Sequence, residues 1–151
     1  MIVSDSTTLI VLFDLDRLDL LANVFSTIII PDSVHKEISV KSSITLPSFM
    51  KVKKAKASEL LDVLKNVLDL GESEAIALAL ELKLPLVIDE KKGRKIALRE
   101  GIKIIGLLGV VYLNIKKECL SETEAKDFLD EAIINGYHIY THLIDEMFSS
   151  L

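Results

Sequence analysis

Two short apolar runs of this chain each end on an aspartate: Ile2-Val3-Ser4 leads into Asp5, and Leu84-Pro85-Leu86-Val87-Ile88 leads into Asp89. Runs of that length and β-branched content read as strands buried in a parallel sheet, and open α/β sheets place their sites beyond the strands' carboxyl ends. Both carboxylates then share one rim. Aspartate has poor strand propensity and is costly to bury unpaired, so two such placements ask for a common explanation, and a bound divalent cation supplies one.

Two further acids join them. Glu74 opens Ala75-Ile76-Ala77-Leu78-Ala79-Leu80, a helix so apolar around its circumference that most of it must be buried. Glu37 stands in the helix after the second strand, beside Val34 and Ile38, which should face the core. Two carboxylates about 4 Å apart repel by roughly 4 kcal/mol at an effective dielectric of about 20, so four that meet need raised pKa values or a cation. Oxygen donors without cysteine or histidine select Mg²⁺ or Mn²⁺, ions commonly bridged to substrate phosphates. The matching chemistry is phosphodiester hydrolysis, in which the cation activates water for in-line attack and stabilises the departing oxygen. Taken singly, each acid has a plainer reading: Asp5 and Asp89 as helix N-caps, Glu74 as a first-turn residue favoured by the helix dipole, Glu37 as a solvated glutamate. The metal reading rests on the set.

The elements that must position these residues alternate. Strands are expected over 2–4, 27–30, 49–52, 84–88 and 103–105, the third at an edge because of its lysines. Helices are expected from Ser6 or Thr7 to Phe13, over 15–25, after Asp32 or Ser33, over 58–66, over 69–83, and from the residues after Asp89 to Glu100. A loop over 44–48 contains Pro47, and Asp69 with Glu72 three residues later resembles a capping box. From Leu107 on, three helices are expected, over 107–117, 121–135 and from Thr141, the second opened by the capping box of Ser121 and Glu124. Strands alternating with helices predict a parallel sheet with right-handed crossovers and one domain over 1–151.

The 151 residues carry 50% hydrophobic side chains and a net charge of −5, which argues against strong indiscriminate binding to nucleic acid. A local basic cluster, Lys91, Lys92, Arg94 and Lys95, follows Asp89 and is placed to meet substrate phosphates. The single Cys119 excludes an intrachain disulfide and a cysteine zinc site. The longest uncharged apolar stretch, over 104–113, is far short of the ~20 residues of a membrane span, and no basic flank precedes the apolar start. A cytoplasmic protein is expected. His138, His142 and Glu146 are spaced to line one helix face, but Gly136 and the run after it start that helix only at Thr141, leaving His138 outside.

Asp5-Ser6-Thr7, Val34-His35-Lys36-Glu37-Ile38, Gly71-Glu72-Ser73-Glu74-Ala75 and Ile88-Asp89-Glu90-Lys91-Lys92-Gly93-Arg94 together resemble PIN-domain proteins, most closely the prokaryotic branch related to VapC-type toxins. The resemblance covers essentially the whole chain. It implies a three-layer α/β/α domain with about five parallel strands in order 3-2-1-4-5 and extra C-terminal helices. It also implies a metal-dependent endoribonuclease using Mg²⁺ or Mn²⁺, with Asp5, Glu37, Glu74 and Asp89 as catalytic metal ligands and Glu90 as a further candidate. Ser6 and Thr7 would support the site. Implied partners are RNA, a small antitoxin and a second copy of the chain. The alternative within the resemblance is an inactive PIN-like module that binds RNA or protein. A phospho-acceptor signalling domain fits less well, because such domains carry a lysine after the last strand where Ile104-Ile105 runs into Gly106.

Overall fold

The computed structural model describes residues 1–41 and 45–151. Five short strands, β1 (Ile2–Ser4), β2 (Ile28–Ile30), β3 (Met50–Val52), β4 (Leu86–Val87) and β5 (Ile104–Ile105), pair in parallel in the order β3-β2-β1-β4-β5. The chain builds outward from β1 to β3 on one side, then returns to place β4 on β1's other edge. The switch point, where such sheets bind ligands, therefore falls between the ends of β1 and β4.

Nine helices cover the sheet among the described residues: α1 (Ser6–Asp14), α2 (Asp19–Ala22), α3 (Asp32–Lys41), α4 (Glu59–Lys65), α5 (Leu70–Leu82), α6 (Lys91–Arg99), α7 (Leu107–Lys116), α8 (Glu122–Ile134) and α9 (Thr141–Ser149). The alternation of strand side chains divides the core in two. Ile2, Ile28, Ile30 and Val87 point to the face covered by α1, α2, α7, α8 and α9. Val3, Ile29, Leu86 and Ile88 point to the other, covered by α4, α5 and α6. The strands are buried on both faces, which is why they read as continuous apolar runs. No helix is long and apolar enough to cross a membrane among the described residues.

The three-layer α/β/α fold and strand order stand as expected. The helix expected over 15–25 shrinks to α2. Asp16 adopts the left-handed conformation at φ 55°, and the N–H groups of Asp16 and Arg17 return to the carbonyls of Phe13 and Leu12 at 3.1 and 2.8 Å. That is a Schellman stop built without glycine, so the usual sequence signal is missing. The loop expected over 44–48 begins at Ile44, outside the described residues.

One polar side chain inside the core fixes α2 against α7. Asn114, fully buried, donates to the carbonyls of Leu20 and Val110 at 2.8 Å each and accepts from Asn23 Nδ2 at 2.9 Å. Replacing it by leucine strands the Leu20 carbonyl in the core and takes a partner from the Asn23 amide at the surface. We expect Asn114→Leu to cost about 2 kcal/mol or more in urea unfolding, and an unchanged midpoint would contradict this.

Candidate active site

Asp5 follows β1 directly and stands at the N-cap of α1, yet its side chain makes no capping bond. It is 2% exposed, and its Oδ1 has no hydrogen-bond partner. Gly71, at the start of α5, shows what lies around it: a Cβ built there would stand 3.5 Å from Asp5 Oδ1 and 3.4 Å from Glu37 Oε2. Two of the expected acids thus meet in one gap, brought there by β1 and by α3.

The third acid comes from α5, and it is Glu72. Glu72 is 7% exposed, and its Oε2 also has no partner. A Cβ on Gly93 would lie 3.2 Å from Glu72 Oε2 and 3.3 Å from Glu90 Oε2, but also 2.7 Å from Ile88 Cδ1, so only glycine lets α6 approach there. Positions 72 and 74 are about 200° apart around a helix, and only one of them can face the rim. Glu74 is half-buried elsewhere on α5, and no described contact joins it to the other acids. The Asp69 and Glu72 pair explains the ambiguity. Asp69 accepts from the Glu72 N–H at 2.8 Å, as a capping box requires, but the Glu72 carboxyl does not return the bond and belongs to the acidic cluster.

After β4 the two consecutive acids part. Glu90 caps α6, accepting from the N–H groups of Lys92 at 3.1 Å and Gly93 at 2.6 Å, while its carboxylate lies beside Glu72. Asp89 turns to another set of partners. It accepts from the Leu107 N–H at the start of α7 (3.0 Å), from the Tyr137 hydroxyl (2.9 Å) and from the Thr8 hydroxyl. A Cβ on Gly106 would collide with Asp89 Oδ1, so this glycine opens the approach. Asp89, expected as a metal ligand, has its oxygens occupied by donors and by the positive end of α7. Glu90, not Asp89, is the acid of this pair that lies beside Glu72.

Electrostatics mark out Asp5 and its neighbours on the rim. Burial pushes Asp5 from 3.8 to about 7; the Ser6 backbone N–H works against this, and the charges of Asp69, Glu37 and Glu90 add to it. Burial likewise raises Glu72, helped by its bonds with Asp69 and Glu90, so a proton held on Glu72 gives these carboxyls the donor they otherwise lack. For Glu90, desolvation works upward, but the bond with Glu72 and the Gly93 and Lys92 N–H groups outweigh it and hold the pKa down. Tyr137 is raised by burial, then by the Asp89 charge and hydrogen bond, and remains a phenol donor. Among the described residues the one ion pair is Arg17–Asp19, remote from this rim, so no basic side chain pairs with the acids.

The other expected residues divide. Ser6 is buried and lends its N–H to Asp5, whereas Thr7 is exposed in the groove beside the cluster. Lys91, Arg94 and Lys95 line that groove, with Arg94 held by the Ile88 carbonyl at 2.7 Å; Lys92 does not. Thr8, Asp69 and Tyr137 are site residues that sequence reading missed. Tyr137 lies 48 residues beyond Asp89, and nothing local announces the contact.

The family model of the PIN domain (DUF3368) matches residues 1–151. The chain belongs to the PIN-domain family. No curated protein and no solved structure matches it. PIN domains are generally nucleases that bind divalent metals. The donors of this PIN domain fit such an ion in kind: hard oxygens, two of them buried and unpartnered. Among the described residues no three acidic, histidine or cysteine side chains are drawn into a ready cage. Mg²⁺ commonly takes one or two carboxylates and keeps its waters, so a gathered but open rim suffices.

The raised pKa of Asp5 makes a pH prediction for the metal-free PIN domain. A carboxyl bound to its proton more tightly when folded adds stability below its ordinary pKa of 3.8, and that contribution is lost as pH rises through about 7. The loss amounts to up to about 4 kcal/mol. The melting temperature in chelator should fall between pH 5 and pH 8, and Asp5→Asn should flatten the profile. Identical profiles for the two proteins would contradict the assignment.

Proposed function

We propose that this PIN domain is a divalent-metal-dependent endoribonuclease, hydrolysing RNA phosphodiester bonds with Mg²⁺ or Mn²⁺. The observation that carries the reading is the buried, unpartnered Asp5 Oδ1 on a rim that it shares with Glu37, Glu72 and Glu90 and that has no basic partner among the described residues. Asp5, Glu37, Glu72 and Glu90 would hold the ion. Of the ligands implied by the motifs, Glu72 replaces Glu74 and Glu90 replaces Asp89. When bound, the ion neutralises the clustered charge and polarises the scissile phosphate.

The chain's own residues prepare the rest. β1 and α1 hold Asp5 rigidly below the surface, while the backbone of Lys92 and Gly93 keeps Glu90 ionised and oriented. Glu37 borders the groove, where a substrate phosphate would arrive. Lys91, Arg94 and Lys95 would draw in the neighbouring phosphates, and Asp89 would act as a brace rather than a ligand. The motif resemblance supports extending this to a toxin restrained by a small antitoxin, with homodimerisation as a further part of the same proposal.

Asp5→Asn and Glu72→Gln should each lower cleavage of a single-stranded RNA with Mn²⁺ by roughly 100-fold or more, with circular dichroism unchanged. Wild-type rates in both variants would refute the nuclease. Saturable RNA binding by a wild type that never cleaves would favour the inactive binding module instead.

A further inference from the structure

Tyr137 reaches the site from 48 residues beyond its partner Asp89, and local structure aims it there. α8 ends in a Schellman turn: the Gly136 N–H returns to the Ile133 carbonyl and the Tyr137 N–H to the Ala132 carbonyl, each at 3.0 Å, with Gly136 left-handed at φ 97°. The residue after the glycine of such a turn packs inward, and Tyr137 is 5% exposed. Its hydroxyl then meets Asp89 Oδ1 at 2.9 Å.

A buried phenol needs an acceptor, and any free carbonyl would serve. Tyr137 instead takes a carboxylate just past β4, where a charge-assisted bond is stronger and fixes direction. The other donors to Asp89 favour its second oxygen. The Thr8 hydroxyl on α1 and the Leu107 N–H at the start of α7 both meet Oδ2, the latter at 3.0 Å. Oδ1 has Tyr137 and, more distantly, the same Leu107 N–H at 3.3 Å. Without the phenol, that oxygen keeps only the longer bond.

Asp89 shares a peptide bond with Glu90, and Glu90 has little room to move. Its carboxylate accepts from the N–H groups of Lys92 at 3.1 Å and Gly93 at 2.6 Å. It lies beside Glu72 above Gly93, where a single added carbon would stand 3.2 and 3.3 Å from the two glutamates. Holding Asp89 by both oxygens fixes the turn from which Glu90 projects. We infer that Tyr137 is a positioning residue of this site: through Asp89 it sets the turn after β4, and with it the Glu90 carboxylate. The cation that Glu90 would hold rests on the nuclease reading; the path of bonds from Tyr137 to Glu90 does not.

The test is hydrogen exchange at the Gly93 amide in chelator, alongside titration calorimetry with Mn²⁺, on the full chain and on Tyr137→Phe, which keeps the ring and removes only the hydroxyl. Asn114→Leu, which loosens α2 and α7 without touching Asp89, is the control for lost stability. Tyr137→Phe should speed Gly93 exchange and weaken Mn²⁺ binding about tenfold, whereas Asn114→Leu should do neither. Adding Tyr137→Phe to Asp89→Asn should bring no further loss, since the phenol acts through that carboxylate. Unchanged Gly93 exchange in Tyr137→Phe, equal acceleration in Asn114→Leu, or full additivity with Asp89→Asn would overturn the inference. If the wild type binds no Mn²⁺, the nuclease reading falls and Gly93 exchange alone decides the role of Tyr137. If the wild type binds Mn²⁺ and cleaves RNA while Tyr137→Phe binds the ion equally well, the nuclease stands and the positioning role falls.

Discussion

Asp5 is buried at the end of the central strand with one carboxylate oxygen unpartnered, and the geometry around it multiplies that cost. Glu37, Asp69, Glu72 and Glu90 are brought to the same rim by α3, the α5 start and the turn after β4. Leaving an ionised carboxylate dry and unpaired costs several kcal/mol, so the fold must either hold protons there or accept a cation. The raised pKa values of Asp5 and Glu72 show the first solution in the metal-free chain. The second is the one that a nuclease would use. A marginally stable domain does not keep such a cluster for its stability.

Asp89 shows the same side chain under the opposite constraint. Its oxygens meet an N–H at the start of α7 and two hydroxyls, and through these it joins β4's exit, α1, α7 and the connector before α9. Charge-assisted bonds to a carboxylate are among the stronger ones a protein makes, and this knot holds the wall of the groove against the site. Two aspartates that look alike in sequence therefore divide the work: one leaves an oxygen open, and the other is fully engaged.

Much of this was legible before the structure. Buried parallel strands announce themselves as short apolar runs closed by an acid, and the order of β1 and β4 at the switch point followed from family resemblance. The half-formed capping box hid Glu72, because a glutamate three residues after Asp69 has a sufficient local explanation. Glu74 drew attention by adjoining the apolar run, although helical geometry turns it away from Glu72. Glu90 and Asp89 are separated only by which way consecutive residues point after the strand, and that depends on Gly93 and Gly106 allowing close approach from distant segments. The helix stop at Asp16 carried no glycine, and Tyr137 is a long-range partner. What was missed depends on tertiary approach, which local pattern does not encode.

The central claim is that the cation is held by Asp5, Glu37, Glu72 and Glu90, not by Glu74 or Asp89. Isothermal titration of Mn²⁺ into Glu72→Gln and Glu74→Gln tests it most directly, since the two substitutions are chemically identical and two residues apart. The account predicts binding lost or severely weakened in Glu72→Gln and retained in Glu74→Gln. Retention in Glu72→Gln with loss in Glu74→Gln would contradict it.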